Sequence, residues 1–209
     1  MNILNKPTSS LNQCLTWSKN KNATELFNSL IPILYKTAEQ EGVDPTLVVA
    51  QCAKETGYCK FGGVLDASFK NPCGLKVSSG GACDDPNAHK RFNSWEEGIL
   101  AQVQHLALYA GKKGYPVANP LDPRHFSYLH GKCTTVESLS GNWAGSTYGQ
   151  DLVKMMNEVI NTKVEEDSKD NEIAKLKEVI NKKDNQITQL NNENFILKDK
   201  LIKIHELSK

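Results

Sequence analysis

The sequence DPTLVVAQCAKETGYCKFGG, residues 44–63, decides the fold because it contains one helix together with both of its ends. Asp44 is a favoured N-cap residue, and Pro45 is favoured in the first turn of a helix. Gly57 predicts the C-terminal end, since glycine readily adopts the left-handed conformation that terminates helices. The predicted helix therefore runs from Pro45 to about Thr56.

One face of this helix carries a candidate acid. Leu47, Gln51 and Glu55 are spaced four apart and share that face, with Glu55 in the last turn. The helix dipole places partial negative charge at this end, and the apolar Tyr58 and Phe61 just beyond it would add desolvation. Both effects favour the protonated carboxyl. A carboxyl that keeps its proton near neutral pH is what a glycosidic general acid needs, so Glu55 is a candidate for that role.

The flanking sequence predicts more helices. An apolar stripe precedes residue 44, with Pro32 either early in its helix or kinking it, and with Gly42 as its end. Ser94 followed by Glu97 is a capping-box pattern that opens another helix, which Gly111 ends. The apolar positions of these two helices are Leu26, Phe27, Leu30, Ile31 and Leu34 in the first, and Ile99, Val103, Leu106 and Ala110 in the second.

Two further features complete the region before residue 163. Residues 57–93 are rich in Gly, Asn, Asp and Pro and have little periodicity, which predicts a long loop with one short hairpin. A final helix is predicted to begin near Tyr148, because Leu152, Met156 and Val159 follow at helical spacing. We therefore expect a mainly α domain over residues 1–163, with a small loop-and-hairpin lobe.

Beyond residue 163 the composition changes, since residues 164–209 contain no Gly, Pro or Trp. A heptad register fits this segment, and eight of its ten core positions are apolar: Ile173, Ile180, Ile187, Asn194 and Leu201 at a, and Leu176, Lys183, Leu190, Leu197 and Ile204 at d. Isoleucine at a with leucine at d favours a parallel dimer, and a single Asn at a fixes its register. After a linker at residues 162–170, we expect a coiled-coil homodimer through residues 170–206. The alternatives are a solvated single helix or a helix packed back on the domain.

The composition excludes several classes of function. The 209 residues carry a formal net charge of +1, which argues against an electrostatic grip on nucleic acid. No apolar run approaches the roughly 20 residues that a membrane span needs. The N-terminus lacks an apolar stretch followed by a cleavage site, so we expect synthesis in a cytoplasm without a signal peptide. The six cysteines should then be thiols, and their spacing does not indicate a metal site or any cofactor.

Four segments in register resemble the bacterial and phage glucosaminidase family of peptidoglycan hydrolases. The first two are AQCAKETGYCKFGG at residues 50–63 and NPCGLK at residues 71–76. The others are RFNSWEEGI at residues 91–99 and GNWAGSTYGQDLVKMM at residues 141–156. The similarity covers about residues 25–160, and the predicted coiled coil lies outside it. By this resemblance the domain is expected to be lysozyme-like, an α+β glucosaminidase domain whose small lobe covers a groove.

The resemblance implies roles for individual residues. Glu55 matches the catalytic acid of the family motif, and Tyr148 matches a tyrosine that lines the cleft near the scissile bond. Trp143 and Tyr58 are either sugar-stacking residues of the cleft wall or core aromatics, and we count Phe61 beside them as a substrate-binding candidate. Asn71 falls at the family's asparagine, where it would orient the loop or a sugar.

The second carboxylate is where the sequence departs from the family pattern. Family members commonly carry a Glu in the lobe, but here the interval 77–90 reads VSSGGACDDPNAHK and contains no Glu. Asp85 is our candidate for the second catalytic carboxylate, although Asp-Pro is more often the start of a turn. Asp84 and Asp66 are further candidates near the substrate. An inverting, a retaining and a substrate-assisted mechanism all stay open at this point.

The expected activity is hydrolysis of the β-1,4 bond between N-acetylglucosamine and N-acetylmuramic acid in the bacterial wall. The partner would be the glycan strands, and the protein would act outside the cytoplasm after release or delivery, as an endolysin or autolysin does. Two alternatives remain: a lytic transglycosylase or muramidase on the same scaffold, and a non-catalytic assembly protein that binds the wall. The feature that favours the assembly-protein alternative is the predicted coiled coil, not the domain.

Overall fold

The computed structural model describes residues 1–164 and 168–207, and it separates the chain into units of residues 1–163 and 164–209. The first unit contains five α-helices among its described residues: α1 (Leu11–Asn20), α2 (Glu25–Gln40), α3 (Pro45–Thr56), α4 (Trp95–Tyr109) and α5 (Tyr148–Ile160). Short 3-10 helices lie at Ala67–Phe69, Pro86–Ala88, Ser127–Leu129 and Glu137–Leu139. In the second unit a single helix, α6, spans Ser168–Leu207. The prediction of a mainly helical chain is confirmed.

Helix α3 is the centre of the first unit. It packs against α2 and α5, and residues from Pro45 to Ala53 are buried on every side of it. A helix that is buried all round must be apolar or small all round, which explains the run LVVA and the small Cys52 and Ala53. Asp44 caps its start by accepting from the backbone N–H of Thr46 at 3.0 Å. Gly57 ends it in the left-handed conformation at φ +58°.

The ends of the other helices follow local chemistry. Pro32 lies inside α2, beyond the first turn, and Gly42 follows the end of that helix at φ +66°. Ser94 caps α4 by accepting from Glu97 N at 3.2 Å. The reciprocal half of the capping box is shifted, because the Glu97 carboxylate accepts from the backbone N–H of Asn93 rather than from that of Ser94.

The sequence analysis did not predict α1. Its start has a complete capping box, in which Ser10 accepts from Gln13 N and the Gln13 side chain accepts from Ser10 N. The helix buries Cys14 and Trp17 against the core. The Ser-x-x-Gln pattern at residues 10–13 was the signal that could have identified it.

Residues 57–93 form the lobe that the sequence predicted as a loop with one hairpin. An isolated antiparallel bridge joins Lys76 to His89, supported by the hydrogen bonds Val77 N–H to Ala88 O and Lys90 N–H to Leu75 O, both 2.9 Å. The lobe sits directly on α4, where a Cβ placed on Gly98 would lie 1.9 Å from the carbonyl oxygen of Lys70. Only glycine allows so close a backbone approach.

In the second unit, α6 presents apolar side chains to solvent. The described ones are about half exposed or more, from 48% at Ile173 to 74% at Phe195. A Lys182–Glu178 ion pair, one turn apart at 2.9 Å, lies on its surface. Among residues 1–164 and 168–207, the structure contains no helix that is both long enough and apolar enough to cross a membrane.

Candidate active site

Glu55 projects from the last turn of α3 into a groove between the helices and the lobe. The residue is reached by solvent, but protein surrounds the carboxyl on its other sides. A Cβ placed on Gly74 of the lobe would lie 3.9 Å from Glu55 Oε2. The lobe backbone therefore passes over the acid, and glycine at that point leaves the carboxyl accessible.

A chain of hydrogen bonds fixes Glu55 from the interior. The Tyr148 hydroxyl, at the start of α5, donates to Glu55 Oε1. Gln51 Nε2 donates to the same hydroxyl at 3.1 Å, and Gln102 Nε2 on α4 donates to Gln51 Oε1 at 2.9 Å. Gln51 and Gln102 are fully buried. Gln102 orients the amide of Gln51, and Gln51 orients the Tyr148 hydroxyl. Residues of three helices therefore determine the direction of the hydrogen bond that the tyrosine donates to Glu55.

The electrostatics of the acid follow from this position. Burial raises the pKa of Glu55, while hydrogen bonds from Tyr148 and Trp143 and the charge of Lys54 act against that increase, so that a net rise remains. Burial and the adjacent Glu55 carboxylate raise the pKa of Tyr148 far above its ordinary value. The tyrosine therefore remains a hydrogen-bond donor at any working pH. Glu55 is the group of the pair that exchanges a proton.

Two hollows meet at Glu55 and Gly74. We call the first, of about 390 Å³, the tryptophan hollow, because Trp143 lines it together with Gly74, Lys76, His105 and Arg124. The second, of about 370 Å³, we call the phenylalanine hollow, because Phe61 lines it together with Glu55, Leu65 and His89. The Gly74 Cβ position lies 3.9 Å from both Glu55 and Leu65, so the two hollows adjoin at the acid. Glu55 thus lines the phenylalanine hollow and lies close to Gly74, a lining residue of the tryptophan hollow.

The aromatic candidates divide between the groove and the core. Trp143 and Phe61 line the two hollows, as described above. The Tyr58 ring instead packs 5.5 Å from that of Trp17 and 5.7 Å from that of Phe27, which favours the core alternative over a sugar-stacking role. The reason lies in the backbone, since Tyr58 has a φ of +59° immediately after Gly57 at +58°. This left-handed turn directs the ring away from the groove.

The position of Asn71 favours the loop-orienting alternative over a direct contact with sugar. Its side chain is 1% exposed, and its Nδ2 donates to the carbonyls of Leu75 and Lys90 at 2.8 and 3.0 Å. Its Oδ1 accepts from the Leu75 N–H at 3.0 Å. With both ends of the amide occupied, Asn71 holds the two sides of the lobe together under the hairpin bridge.

The candidate second carboxylates cap short turns of the lobe. Asp85 accepts from Asn87 N at 2.9 Å, and Asp66 accepts from Ser68 N at 2.8 Å. Asp84 is exposed beside Asp85. None of the three lines either hollow, in which Glu55 is the one carboxylate among the described lining residues. A catalytic role for Asp85 stays a prediction.

Two groups of the site were not predicted from the sequence. Gln102 completes the buried amide chain, and His105 lines the tryptophan hollow with its Nδ1 2.7 Å from the buried Asp122 Oδ2. Nothing distinguishes a buried glutamine or histidine in a helix from a surface one until its neighbours are known. Within the described parts of the chain, no cluster of three or more His, Cys, Asp or Glu residues could hold a metal ion.

An accessible carboxyl of raised pKa beside a hollow is a feature that a glycoside hydrolase requires of its general acid. The chain belongs to the glucosaminidase family of peptidoglycan hydrolases, because the family model described as mannosyl-glycoprotein endo-beta-N-acetylglucosaminidase matches residues 31–161. It is also 33% identical over 121 residues to an uncharacterized protein of Borreliella burgdorferi, covering 57% of this chain. The chain spans 56% of the length of that relative. No solved structure matches the chain.

Proposed function

We propose that the protein hydrolyses the β-1,4 bond between N-acetylglucosamine and N-acetylmuramic acid in peptidoglycan, with Glu55 as the general acid. The observation that carries this proposal is the carboxyl of raised pKa, held by the Tyr148 hydroxyl where the two hollows meet. Family membership supports the substrate class. We also propose that the chain acts at the wall, after release or delivery from the cell that makes it.

The acid step uses the protonated carboxyl. Glu55 gives its proton to the glycosidic oxygen while the bond from that oxygen to the anomeric carbon breaks. The carboxylate that remains keeps the hydrogen bond from Tyr148, and this bond is stronger to a charged acceptor than to a neutral one. The tyrosine thus stabilises the transition state more than the ground state, which is the requirement for catalysis.

The second half of the reaction needs a group that stabilises the anomeric carbon. Because Glu55 is the one carboxylate among the described residues of the two hollows, we assign this role to the substrate's own acetamido group. Its carbonyl oxygen bonds to the anomeric carbon as the leaving oxygen departs with the proton. Water then adds to that carbon and returns a proton to Glu55, so the product keeps the β configuration. An inverted product would instead favour a second carboxylate such as Asp85.

The test is digestion of purified walls by the wild type and by Glu55→Gln, followed by borohydride reduction and mass spectrometry of the fragments. Glu39→Gln is the matched control, since Glu39 is exposed on α2. We expect reduced glucosamine ends from the wild type and the control only. Reduced muramic ends would mean a muramidase, and anhydro-muramic ends a transglycosylase. Wall binding without fragments would support the assembly-protein alternative.

We further propose that residues 170–206 form a parallel coiled-coil homodimer. The support is a stripe of exposed a and d side chains on α6, including Ile180, Ile187 and Leu190 at 54–58% exposure. At about 25 cal/mol per Å², so much exposed apolar area favours association of two helices. Light scattering should give a dimer for the full chain. Ile187→Asp should give a monomer, and the adjacent non-core change Thr188→Asp should not.

A further inference from the structure

The two hollows beside Glu55 differ in charge. The tryptophan hollow is lined by the cations Lys76 and Arg124, and none of its described lining residues is Asp or Glu. The phenylalanine hollow has no Lys or Arg among its described lining residues, and its charged group is Glu55 itself. The cationic side chains that line the groove therefore belong to the tryptophan hollow, and the Lys76 ammonium lies close to Cys83 at the edge of the phenylalanine hollow.

Neither cation of the tryptophan hollow is paired with an acid among residues 1–164. The Lys76 Nζ donates to the carbonyl of Gly81 and lies 3.4 Å from Cys83 Sγ. The Arg124 guanidinium lies over the Phe126 ring, 5.3 Å from its centroid. Lys54, which is also half-buried, is by contrast paired with Asp151 at 2.9 Å. Two half-buried cations without a counter-charge make a site for an anionic ligand.

The floor of this hollow is fixed and aromatic. The His105 ring is held by Asp122 and lies edge-on to Trp143 and Tyr109, with centroids 5.0 and 4.8 Å apart. The Asp122 carboxylate is 2% exposed and also accepts from the Arg124 backbone N–H at 2.9 Å, so it stays behind the floor. Aromatic rings provide a surface for a sugar, and the two cations line the same hollow.

Beside the Lys76 side chain, two glycines at the tip of the lobe line this hollow, Gly80 and Gly81. A Cβ placed on Gly81 would lie 2.5 Å from the Ala88 Cβ, so a glycine is required there. A Cβ on Gly80 would lie 3.5 Å from Arg124 Nη1. Gly81 thus lets the tip of the lobe pack on Ala88, and Gly80 places no side chain against the Arg124 guanidinium.

We infer that the tryptophan hollow is a subsite for the carboxylate-bearing sugar of the wall glycan, with Arg124 and Lys76 binding the carboxylate. This inference rests on the proposed function. Wall glycan alternates a neutral N-acetylglucosamine with a muramic residue, whose lactyl group ends in a carboxylate or continues into a stem peptide with carboxylates of its own. Since the acidic sugar recurs at every second position, holding it in one hollow fixes which of the two linkages lies at Glu55.

The experiment compares four substrates: native walls, walls whose carboxylates are amidated with carbodiimide and ammonia, and peptide-free glycan with and without that amidation. The variants are Arg124→Gln and Lys76→Gln in the full chain, with Lys132→Gln as the exposed control and thermal melting as the check on folding. We expect KM for native walls to rise about tenfold for Arg124→Gln with little change in kcat, since the lost charged hydrogen bond weakens binding of the substrate and of the transition state alike.

Amidated walls should raise KM for the wild type and remove its advantage over the variants. An effect that persists on peptide-free glycan identifies the lactyl carboxylate, and one confined to native walls identifies the stem peptide. The inference would be overturned if the variants and the wild type had equal KM values on native walls. It would also be overturned if amidation of the walls raised KM as much for the variants as for the wild type. Glu55→Gln, measured in parallel, separates this from failure of the proposed function, because activity that survives in that variant refutes Glu55 as the acid.

Discussion

Replacing Tyr148 with Phe tests the central feature of the site, the hydroxyl that connects the buried amides to the acid. The ring is 5% exposed and packs in the core, so phenylalanine should occupy the same space. The change removes the donor to Glu55 Oε1 and the acceptor for Gln51 Nε2, which lies 3.1 Å away. It therefore affects both catalysis and stability, and the two effects can be measured separately.

The expected sizes follow from the hydrogen bonds. A bond to a charged acceptor contributes about 1.5–3 kcal/mol and one to a neutral acceptor about 0.5–1.5, so the transition state should lose roughly 1–1.5 kcal/mol more than the ground state. That difference corresponds to a decrease in kcat of about tenfold. The unpaired amide of Gln51 should lower the free energy of unfolding by about 1–3 kcal/mol.

The pH profile of kcat provides an independent test, because the direction in which it shifts can be predicted. Tyr148 lowers the pKa of Glu55, in opposition to burial, so removing the hydroxyl should raise that pKa further. A general acid is active while protonated, and the alkaline limb of kcat reports its pKa. The limb should therefore move to higher pH in Tyr148→Phe.

The matched control for this variant is Tyr35→Phe. It also removes one tyrosine hydroxyl, which donates to the Ser9 carbonyl at 2.7 Å. The control should lose stability without a change in kcat or in the limb. An unchanged kcat in Tyr148→Phe, or a limb that moves to lower pH, would refute the argument.

Four further predictions use other parts of the chain. Because the pKa of Glu55 is raised on folding, its ionisation destabilises the folded state, so Glu55→Gln should raise Tm at pH 7 and the gain should vanish below about pH 4 in calorimetry. Gln102→Leu removes a donor to Gln51 but also a buried Oε1 that has no partner, so urea unfolding should change by less than about 1 kcal/mol while kcat falls. Gly98→Ala, which pushes against the lobe backbone, should cost about 1–3 kcal/mol in the same assay, and Gly145→Ala, with open space around it, should cost far less. A chain ending at residue 163 should keep its activity on soluble fragments and lose it on whole walls, since a dimer gains avidity from two sites; equal activity on both would refute that role for α6.

Local signals predicted α3 well, because its N-cap acid, its first-turn proline and its terminal glycine lie within the helix and its borders. The same kind of signal predicted the start of α4, and it was present but unused for α1, whereas α5 was predicted from the helical spacing of its apolar residues. The placement of Tyr58 could not be predicted in this way. Its left-handed backbone depends on Thr56, whose hydroxyl accepts from the Cys59 N–H at 2.9 Å and donates to the Cys52 carbonyl at 2.6 Å.

The contact between Glu55 and Tyr148 joins residues 93 positions apart, and only family resemblance connected them before the structure did. Spacing had placed Gln51 on the same face as Glu55, but it gave no reason for an amide there. The reason is tertiary: α4 brings Gln102 to within hydrogen-bond distance of Gln51, and both are excluded from water. Buried polar groups in a helix look like surface positions in a sequence, so the part of the site farthest from solvent was the part hardest to predict.

The buried amides also bear on the position of the proposed acid, which lies on a buried helix of the domain rather than on a loop. A carboxyl in a flexible segment would be hydrated, and its pKa would fall toward the ordinary value. The last turn of α3 places Glu55 where the helix ends at Gly57 and the groove begins, so the side chain lines the phenylalanine hollow while the helix packs in the core. The hydrogen bonds from Gln102 through Gln51 to Tyr148 then fix the position of one carboxylate oxygen of Glu55, because these residues lie on three helices that pack together. A change in the packing of α4 should therefore alter the pH dependence of the reaction without any contact to the sugar.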